Sequence, residues 1–160
     1  MPIDCHVKIE GVESESTHVD HKGEIDCQSW SWSLAQPSAV GSGVGGHAKG
    51  KAVPGEFLFI HRYDKASPVI AKHCASGKHF PSIVCTARQA GEGQKDFLKV
   101  TLKECMITAA QPSATDGGEI MESVSLSYVD VEFDYKPMDE KGNLGGSVKF
   151  GWNVSSTEVR

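Results

Sequence analysis

The sequence lacks the features that take a protein into or through a membrane. No apolar run approaches the roughly 20 residues that a membrane-spanning helix needs. The chain begins Met-Pro-Ile-Asp-Cys-His-Val-Lys, which alternates apolar and polar residues, whereas a secretory signal has a basic region followed by an apolar stretch. We therefore expect no membrane insertion and no cleaved signal peptide, so that any export uses another route.

The sequence also has fewer basic than acidic residues. The 160 residues include 16 Lys and Arg against 21 Asp and Glu, which gives a formal net charge of -5. A protein that binds nucleic acid through its backbone needs a basic excess to neutralise phosphates. The composition therefore excludes general nucleic-acid binding.

Metal-binding patterns are missing as well. The five cysteines, at positions 5, 27, 74, 85 and 105, form no CxxC pair and no metal-ligand spacing. This favours reduced thiols that pack as small apolar residues. His18 and His21 could supply metal ligands, but no partner group with a recognisable spacing occurs elsewhere, and a solvated polar loop is favoured. We predict no metal and no cofactor.

Two further patterns resemble chemical motifs. Residues 41–46, Gly-Ser-Gly-Val-Gly-Gly, match the G-x-G-x-x-G of dinucleotide-binding proteins, but no strand leads into them and no helix pattern follows. Asp130, Glu132 and Asp134 share one face of a predicted strand, and such a row more often marks a solvated or subunit-facing surface than an acid–base pair. We predict no enzyme activity and keep a hydrolase that uses these carboxylates as a third hypothesis.

What the chain does contain is alternation of apolar and polar residues, which predicts strands. About seven are indicated, at residues 3–10, 25–34, 56–62, 82–88, 97–108, 123–136 and 147–155. The first is predicted to be half-buried, with a polar loop after it at residues 11–22. Three strands change the phase of their apolar residues, which predicts bulges near residues 28–29, after 103–104 and within 123–136.

One helix is predicted between the strands. Asp64 or Ser67 is its expected cap, Pro68 lies in its first turn, and Gly77 follows its end. Residues 57–60 are apolar on both faces, so we expect the helix to cover the second side of that strand. The predicted fold class is mainly β: an antiparallel two-sheet β-barrel or sandwich with one flanking α-helix, in a single domain of residues 1–160.

Residues 23–34 anchor the predicted barrel. Trp30 and Trp32 are two apart, so that on a strand both indoles point to one face. We predict that they are core anchors, together with Trp152 in the last strand. The side chains free to line a second, polar surface on the opposite face are then those of Ser29, Ser31 and Ser33.

Several blocks of sequence, in order, resemble the Hcp family, the haemolysin-coregulated proteins of bacterial type VI secretion systems. The first is Gly-Glu-Ile-Asp-Cys-Gln-Ser-Trp-Ser-Trp at residues 23–32. Others lie at residues 64–68, 75–79, 97–104, 122–128 and 145–153, and a glycine-rich loop precedes Lys51. The resemblance covers essentially the whole chain.

The resemblance implies a homohexameric ring, with rings stacked into the inner tube of the secretion machine. The implied partners are other copies of the chain, a spike-tip protein, sheath and baseplate components, and secreted effectors carried in the lumen. It also implies a cytoplasmic protein during assembly that is then secreted. The implied lumen- and cargo-facing position is Ser31, with Ser29 and Ser33 beside it. The implied ring-stacking loop contains Gly41, Gly43, Gly45, Gly46 and His47.

A different class of function fits the same alternation. A stand-alone β-sandwich that binds carbohydrate would present aromatic side chains on an exposed sheet. That hypothesis requires an accessible aromatic platform, and the alternation instead turns the tryptophans inward. It remains the alternative to an assembling tube subunit.

Overall fold

The computed structural model of this chain describes residues 3–37, 52–89 and 95–160, and within them it is mainly β. The helices are α1 (Ser67–Ser76) and a single 3-10 turn (Val19–His21). The strands are β1 (Ile3–Ile9), β2 (Ile25–Ser31), β3 (Leu34–Ala35), β4 (Val53–Pro54), β5 (Phe57–Arg62), β6 (His79–Gln89), β7 (Asp96–Ser113), β8 (Met121–Ser127), β9 (Asp130–Tyr135), β10 (Val148–Asn153) and β11 (Glu158–Val159).

Six strands close on one another into a barrel. Their order is β7, β6, β1, β2, β5 and β8, and β8 pairs again with β7. Every pairing is antiparallel, and β9, β10 and β11 extend the sheet outward from β7. Closure removes the open edges that a flat sheet would leave within the six strands. The predicted fold class, an antiparallel barrel with one flanking helix, is confirmed.

The predicted phase shifts correspond to irregularities in the sheet. The register between β2 and β5 shifts between Cys27 and Ser29, which confirms the bulge predicted near residues 28–29. In β7, Glu104 adopts a left-handed φ of 49°, at the point where the buried side chains pass from Leu102 to Cys105. This residue therefore turns the long strand so that each half faces the core.

The prediction of one strand over residues 123–136 is wrong, because the structure divides it at Tyr128 and Val129. The first part, β8, pairs with the second half of β7, and the second part, β9, pairs with the first half. A hydrogen bond from Val129 N–H to Lys103 O, 3.1 Å long, holds the break opposite Glu104. Strand β7 and the chain that pairs with it, β8 followed by β9, therefore both change the side that faces the core at the same corner. The two-residue strands β3, β4 and β11 were too short for alternation to predict.

The core fills the barrel and extends beneath helix α1. Its largest side chains with less than 2% exposure include Phe57, Phe59, Ile25, Ile83, Leu102, Ile107 and Leu126. Helix α1 contributes Ile70, which is fully buried, and it packs against β7. The helix ends as predicted at Gly77, whose φ of 66° is left-handed and whose N–H bonds to Cys74 O.

Two predictions about the helix need correction. Its cap position is occupied by Ala66, and no side chain caps it; Asp64 instead accepts the Ala66 N–H at 2.9 Å in the preceding turn. The helix does not cover the second side of β5, because it packs on β7. The outward side chains of β5, Leu58 and Ile60, therefore remain half-exposed.

One residue on the polar side of β1 is buried. His6 is 4% exposed, because the chain after β1 folds back over it, whereas Lys8 and Glu10 are exposed. The loop predicted at residues 11–22 is therefore not wholly solvated, and it buries Ser14, Ser16 and His21. Irregular backbone without periodicity covers this part of the sheet, so alternation could not reveal it.

Candidate cargo and assembly surfaces

Trp30 of β2 and Trp32, one residue beyond its end, pack inward and leave Ser31 on the outer face. Trp30 lies nearly parallel to Phe57, with ring centroids 5.6 Å apart and an interplanar angle of 14°. Trp32 packs on Phe133 at 4.8 Å. Both indoles are half-buried against the edge of the core, whereas Ser31 between them is exposed. The strand therefore separates an aromatic inner side from a small polar outer side.

The register of three strands extends the outer side of β2 into a surface. Ser31 lies opposite Leu58 of β5, and Leu58 lies opposite Ser125 of β8. The next row contains Ser29, Ile60 and Ser123 in the same order. Directly opposed residues share one face of an antiparallel sheet. We call these six side chains the serine face. Its centre consists of the half-exposed aliphatic side chains of Leu58 and Ile60, and serines of β2 and β8 lie on either side of them. None of the six side chains is charged.

The aliphatic centre of the serine face was not predicted from the sequence. Leu58 and Ile60 were expected to lie on a side of the strand covered by the helix. Alternation along β5 could have identified them. Phe57, Phe59 and His61 are 0–1% exposed. Because successive side chains of a strand point to opposite faces, Leu58 and Ile60 must then point outward. Strand β5 is apolar on both sides. One side lies in the core, and the other is not covered by α1, which packs on β7.

Ser33 lies beyond the end of β2 and belongs to a different environment. Its carbonyl accepts the Gly55 N–H at 2.8 Å, and a side chain added at Gly55 would place its Cβ 2.0 Å from Ser33 Oγ. The Trp32 indole donates to the Tyr128 hydroxyl at 2.5 Å, and Tyr128 donates to Gly55 O at 2.7 Å. Burial raises the pKa of Tyr128, against the effect of the Trp32 hydrogen bond. Ser33, although exposed, thus sits at the base of the β3–β4 ribbon.

Two further sets of residues were predicted from the sequence: Trp152 as a core anchor, and the glycine-rich loop as a ring-stacking element. Trp152 on β10 is 3% exposed and lies opposite Val131 and Val159. The residues predicted to form the ring-stacking loop, Gly41, Gly43, Gly45, Gly46 and His47, lie outside the described residues. Because Trp152 is buried and the other two indoles pack against the core, the tryptophans form no open aromatic platform.

Two of the three carboxylates of the acidic row of β9, those of Asp130 and Glu132, are engaged in ion pairs. Arg160 donates to both carboxylate oxygens of Asp130, at 2.9 and 2.6 Å, and it also lies 3.1 Å from Glu132. Lys103 reaches Glu132 at 3.2 Å. The Arg160 hydrogen bonds lower the pKa of Asp130 below its usual range. A lowered pKa suits a permanent ion pair and does not suit a general acid. Among the described residues, no group of three or more His, Cys, Asp or Glu side chains is arranged to hold a metal ion.

Comparisons with known proteins agree on one family. Residues 6–135 match the family model described as type VI secretion system effector, Hcp. The protein hcp1 of Pseudomonas aeruginosa is 37% identical over 157 residues, covering 96% of each chain. The crystal structure of Hcp1 from Salmonella typhimurium is 30% identical, with a TM-score of 0.81 over the whole of both chains. The structure of a type six secretion system protein reaches a TM-score of 0.92 at 24% identity, covering 99% of this chain and all of its own.

These matches define the class as a structural component of bacterial type VI secretion, carried on a closed antiparallel barrel with one helix on its flank. The chain belongs to the Hcp family. Within residues 3–37, 52–89 and 95–160, none of the helices is long and apolar enough to span a bilayer.

Proposed function

We propose that this protein is a subunit of the type VI secretion inner tube, which assembles as hexameric rings and carries effectors in the lumen. Rings stack through the glycine-rich loop of residues 41–47, and the tube works with a spike-tip protein, a sheath and a baseplate. The subunit is cytoplasmic during assembly and is then secreted without a cleaved signal peptide. Membership of the Hcp family supports this placement.

The observation that carries the cargo role is the serine face. It is exposed at Ser29 and Ser31, uncharged, and built on three strands of a closed barrel. Small side chains let another polypeptide approach the sheet closely, and the absence of charge avoids a desolvation cost when it binds. Leu58 and Ile60 offer apolar area at its centre. We propose that this face lines the lumen.

Assembly is tested by native mass spectrometry and negative-stain imaging of the purified chain. We expect a hexamer and ring-shaped particles. A monomer at every concentration, with no rings, would contradict the proposed function.

The lumen assignment is tested with Ser31→Trp. We expect rings to form as in the unmodified protein and the fraction of a secreted effector that copurifies with them to fall. Ser82→Trp, on the exposed side of β6, is the matched control and should leave retention unchanged. Equal loss of rings and of retention in Ser31→Trp would show that Ser31 is structural.

A further inference from the structure

Outside the serine face, three histidines meet where the segment of residues 16–24 folds onto the barrel. The His6 ring of β1 stacks on His21, with centroids 4.5 Å apart and planes 9° from parallel. His18 completes the group at 5.4 Å from His6 and 5.7 Å from His21. His6 and His21 are 4% and 6% exposed. We call this group the histidine cluster.

Charged groups from every neighbouring element face the cluster. The carboxylates are Asp4 of β1, Asp20 and Glu24 of the segment, Asp26 of β2 and Asp96 of β7, and the cation is Arg88 of β6. Arg88 is 4% exposed and links the segment to the sheet, since it lies 3.0 Å from Asp20 and 2.7 Å from Asp96. The segment is thus held on the barrel by ion pairs that lie directly beside the three rings.

His21 bridges two carboxylates from different elements. Its Nδ1 lies 2.7 Å from Glu24 Oε2, and its Nε2 lies 3.2 Å from Asp96 Oδ1. Glu24 belongs to the segment and Asp96 to β7. His21 therefore links the segment to the sheet.

The contacts of His6 fit its neutral form. Its Nε2 lies 3.1 Å from Asp26 Oδ1, and its Nδ1 is buried without a hydrogen-bond partner. A proton on Nδ1 would create a buried donor with no acceptor. Burial, and next the neighbouring His21, lower the pKa of His6, although Asp26 and Glu24 act in the other direction.

His18 lies between Arg88 and the backbone of Asp20. Its Nδ1 accepts the Asp20 N–H at 3.3 Å, and its Nε2 lies 3.4 Å from Arg88 Nη1. A cavity of about 340 Å³ is lined by His6, His18 and Asp26, and it lies open to solvent beside the cluster.

We propose that the histidine cluster is an acid-sensitive latch: the segment of residues 16–24 is held on the barrel while His6 is neutral, and it is released when His6 takes a proton. The other end of the loop is attached independently of the cluster. Ser14 Oγ bonds to the Asp64 carboxylate, and Glu15 accepts the Lys65 N–H at 3.3 Å. Release is therefore confined to residues 16–24, and the barrel stays closed.

The direction of the pH dependence follows from proton linkage. When the segment opens, His6 regains the ordinary histidine pKa of about 6.5, which is higher than its pKa in the closed state. The stability that neutral His6 gives to the latch is therefore fully present above pH 6.5 and is lost as the pH falls below it. The ratio of open to closed molecules rises by up to about tenfold per pH unit in that range. Burial raises the pKa of Asp96, but the hydrogen bonds from Arg88 and His21 outweigh it and lower that pKa below its usual range, so Asp96 titrates in a separate and more acidic window.

The test is hydrogen exchange of the full-length protein at pH 7.5 and pH 5.0, corrected for the intrinsic effect of pH. The informative amides are those of His21, Gly23 and Glu24, which bond within the segment at 3.0–3.1 Å. We expect their protection to fall about tenfold or more at pH 5.0, whereas strand β7 stays protected. Equal protection at both pH values would overturn the proposal.

His6→Gln keeps an amide donor toward Asp26 but cannot gain a charge, so we expect its segment protection to be independent of pH. His79→Gln, at an exposed histidine of β6, is the matched control and should respond to pH as the unmodified protein does. A His6→Gln protein that remains as sensitive as the unmodified chain would overturn the proposal. If this variant does not fold, an NMR titration of the unmodified protein decides the question: a His6 pKa below 6.5 supports the latch, and one above 6.5 excludes it.

Discussion

Ser31 lies directly across the strand pair from Leu58, and both side chains are on the outer face of the barrel. The exposed serine therefore has a half-exposed aliphatic neighbour, and the two form one contact surface. A polypeptide that contacts Ser31 therefore also contacts Leu58. This pairing makes the chemistry of the proposed cargo surface mixed, with an apolar centre and a polar border.

The first prediction concerns that apolar centre. In Leu58→Asn, an amide replaces the isobutyl group at nearly constant size, and the apolar area available to cargo is lost. We expect effector retention by the rings to fall about three- to tenfold, because a partly buried leucine contributes roughly 1 kcal/mol to an interface. The measurement is the fraction of effector that copurifies with rings. Leu34→Asn, at an exposed leucine of β3, should retain effector normally.

The second prediction concerns the base of the β3–β4 ribbon. Tyr128→Phe removes the hydroxyl that accepts from Trp32 and donates to Gly55, and leaves both groups without that partner. We expect the free energy of unfolding to fall by about 1–2 kcal/mol, as measured by urea denaturation. Tyr135→Phe is the control, since Tyr135 is 46% exposed, and its effect should stay within about 0.5 kcal/mol. Equal effects in the two variants would show that the Trp32–Tyr128–Gly55 chain contributes nothing to stability.

The fold was predictable because its signals are local and periodic. Alternation identified the long strands, and the change of phase near Gln28 located the bulge that the register between β2 and β5 shows. The break at Tyr128 gave the same signal as a bulge, because a corner and a bulge both shift the apolar phase by one residue. Only the pairing with β7 distinguishes them, and pairing is not encoded in a single strand.

The candidate surfaces were predictable only in part, for a physical reason. The outward position of Ser31 follows from its place between two tryptophans. The burial of His6, in contrast, depends on residues that lie far along the chain, among them Arg88 and Asp96. Their attraction to the segment of residues 16–24 is electrostatic and has no sequence period. Contacts of this kind become visible only when the strands that carry them are side by side.

The third prediction concerns the cation that links this segment to the sheet. Arg88→Met keeps the length of the side chain and removes its ion pairs with Asp20 and Asp96. We expect a loss of about 2–3 kcal/mol in the free energy of unfolding at pH 7.5, because two ion pairs of a buried guanidinium are lost and Asp96 keeps only its contact with His21. Arg62→Met breaks an exposed pair with Glu119 and should cost less than about 1 kcal/mol. Similar losses in both variants would contradict a special role for Arg88.

The last prediction concerns the five thiols, which are all free in the structure. Burial raises the pKa of Cys27 to about 12 and that of Cys105 to about 11, and it raises the pKa of Cys85 as well. At pH 8 a thiol with a pKa of about 12 is ionised in roughly one molecule in ten thousand, and the thiolate is the form that reacts with alkylating agents. We therefore expect these three cysteines to be alkylated far more slowly than Cys74, as followed by mass spectrometry of timed samples.

Denaturation supplies the control for the thiol experiment. In 6 M guanidinium chloride, all five cysteines should be modified at similar rates, because unfolding returns each pKa toward the ordinary value of about 8.5. The rates in the native protein should also rise with pH through the alkaline range, since more thiolate forms at Cys27 and Cys105. Rapid native modification of Cys27 at pH 8 would mean that β1 and β2 separate readily, which would contradict the stable barrel closure described above.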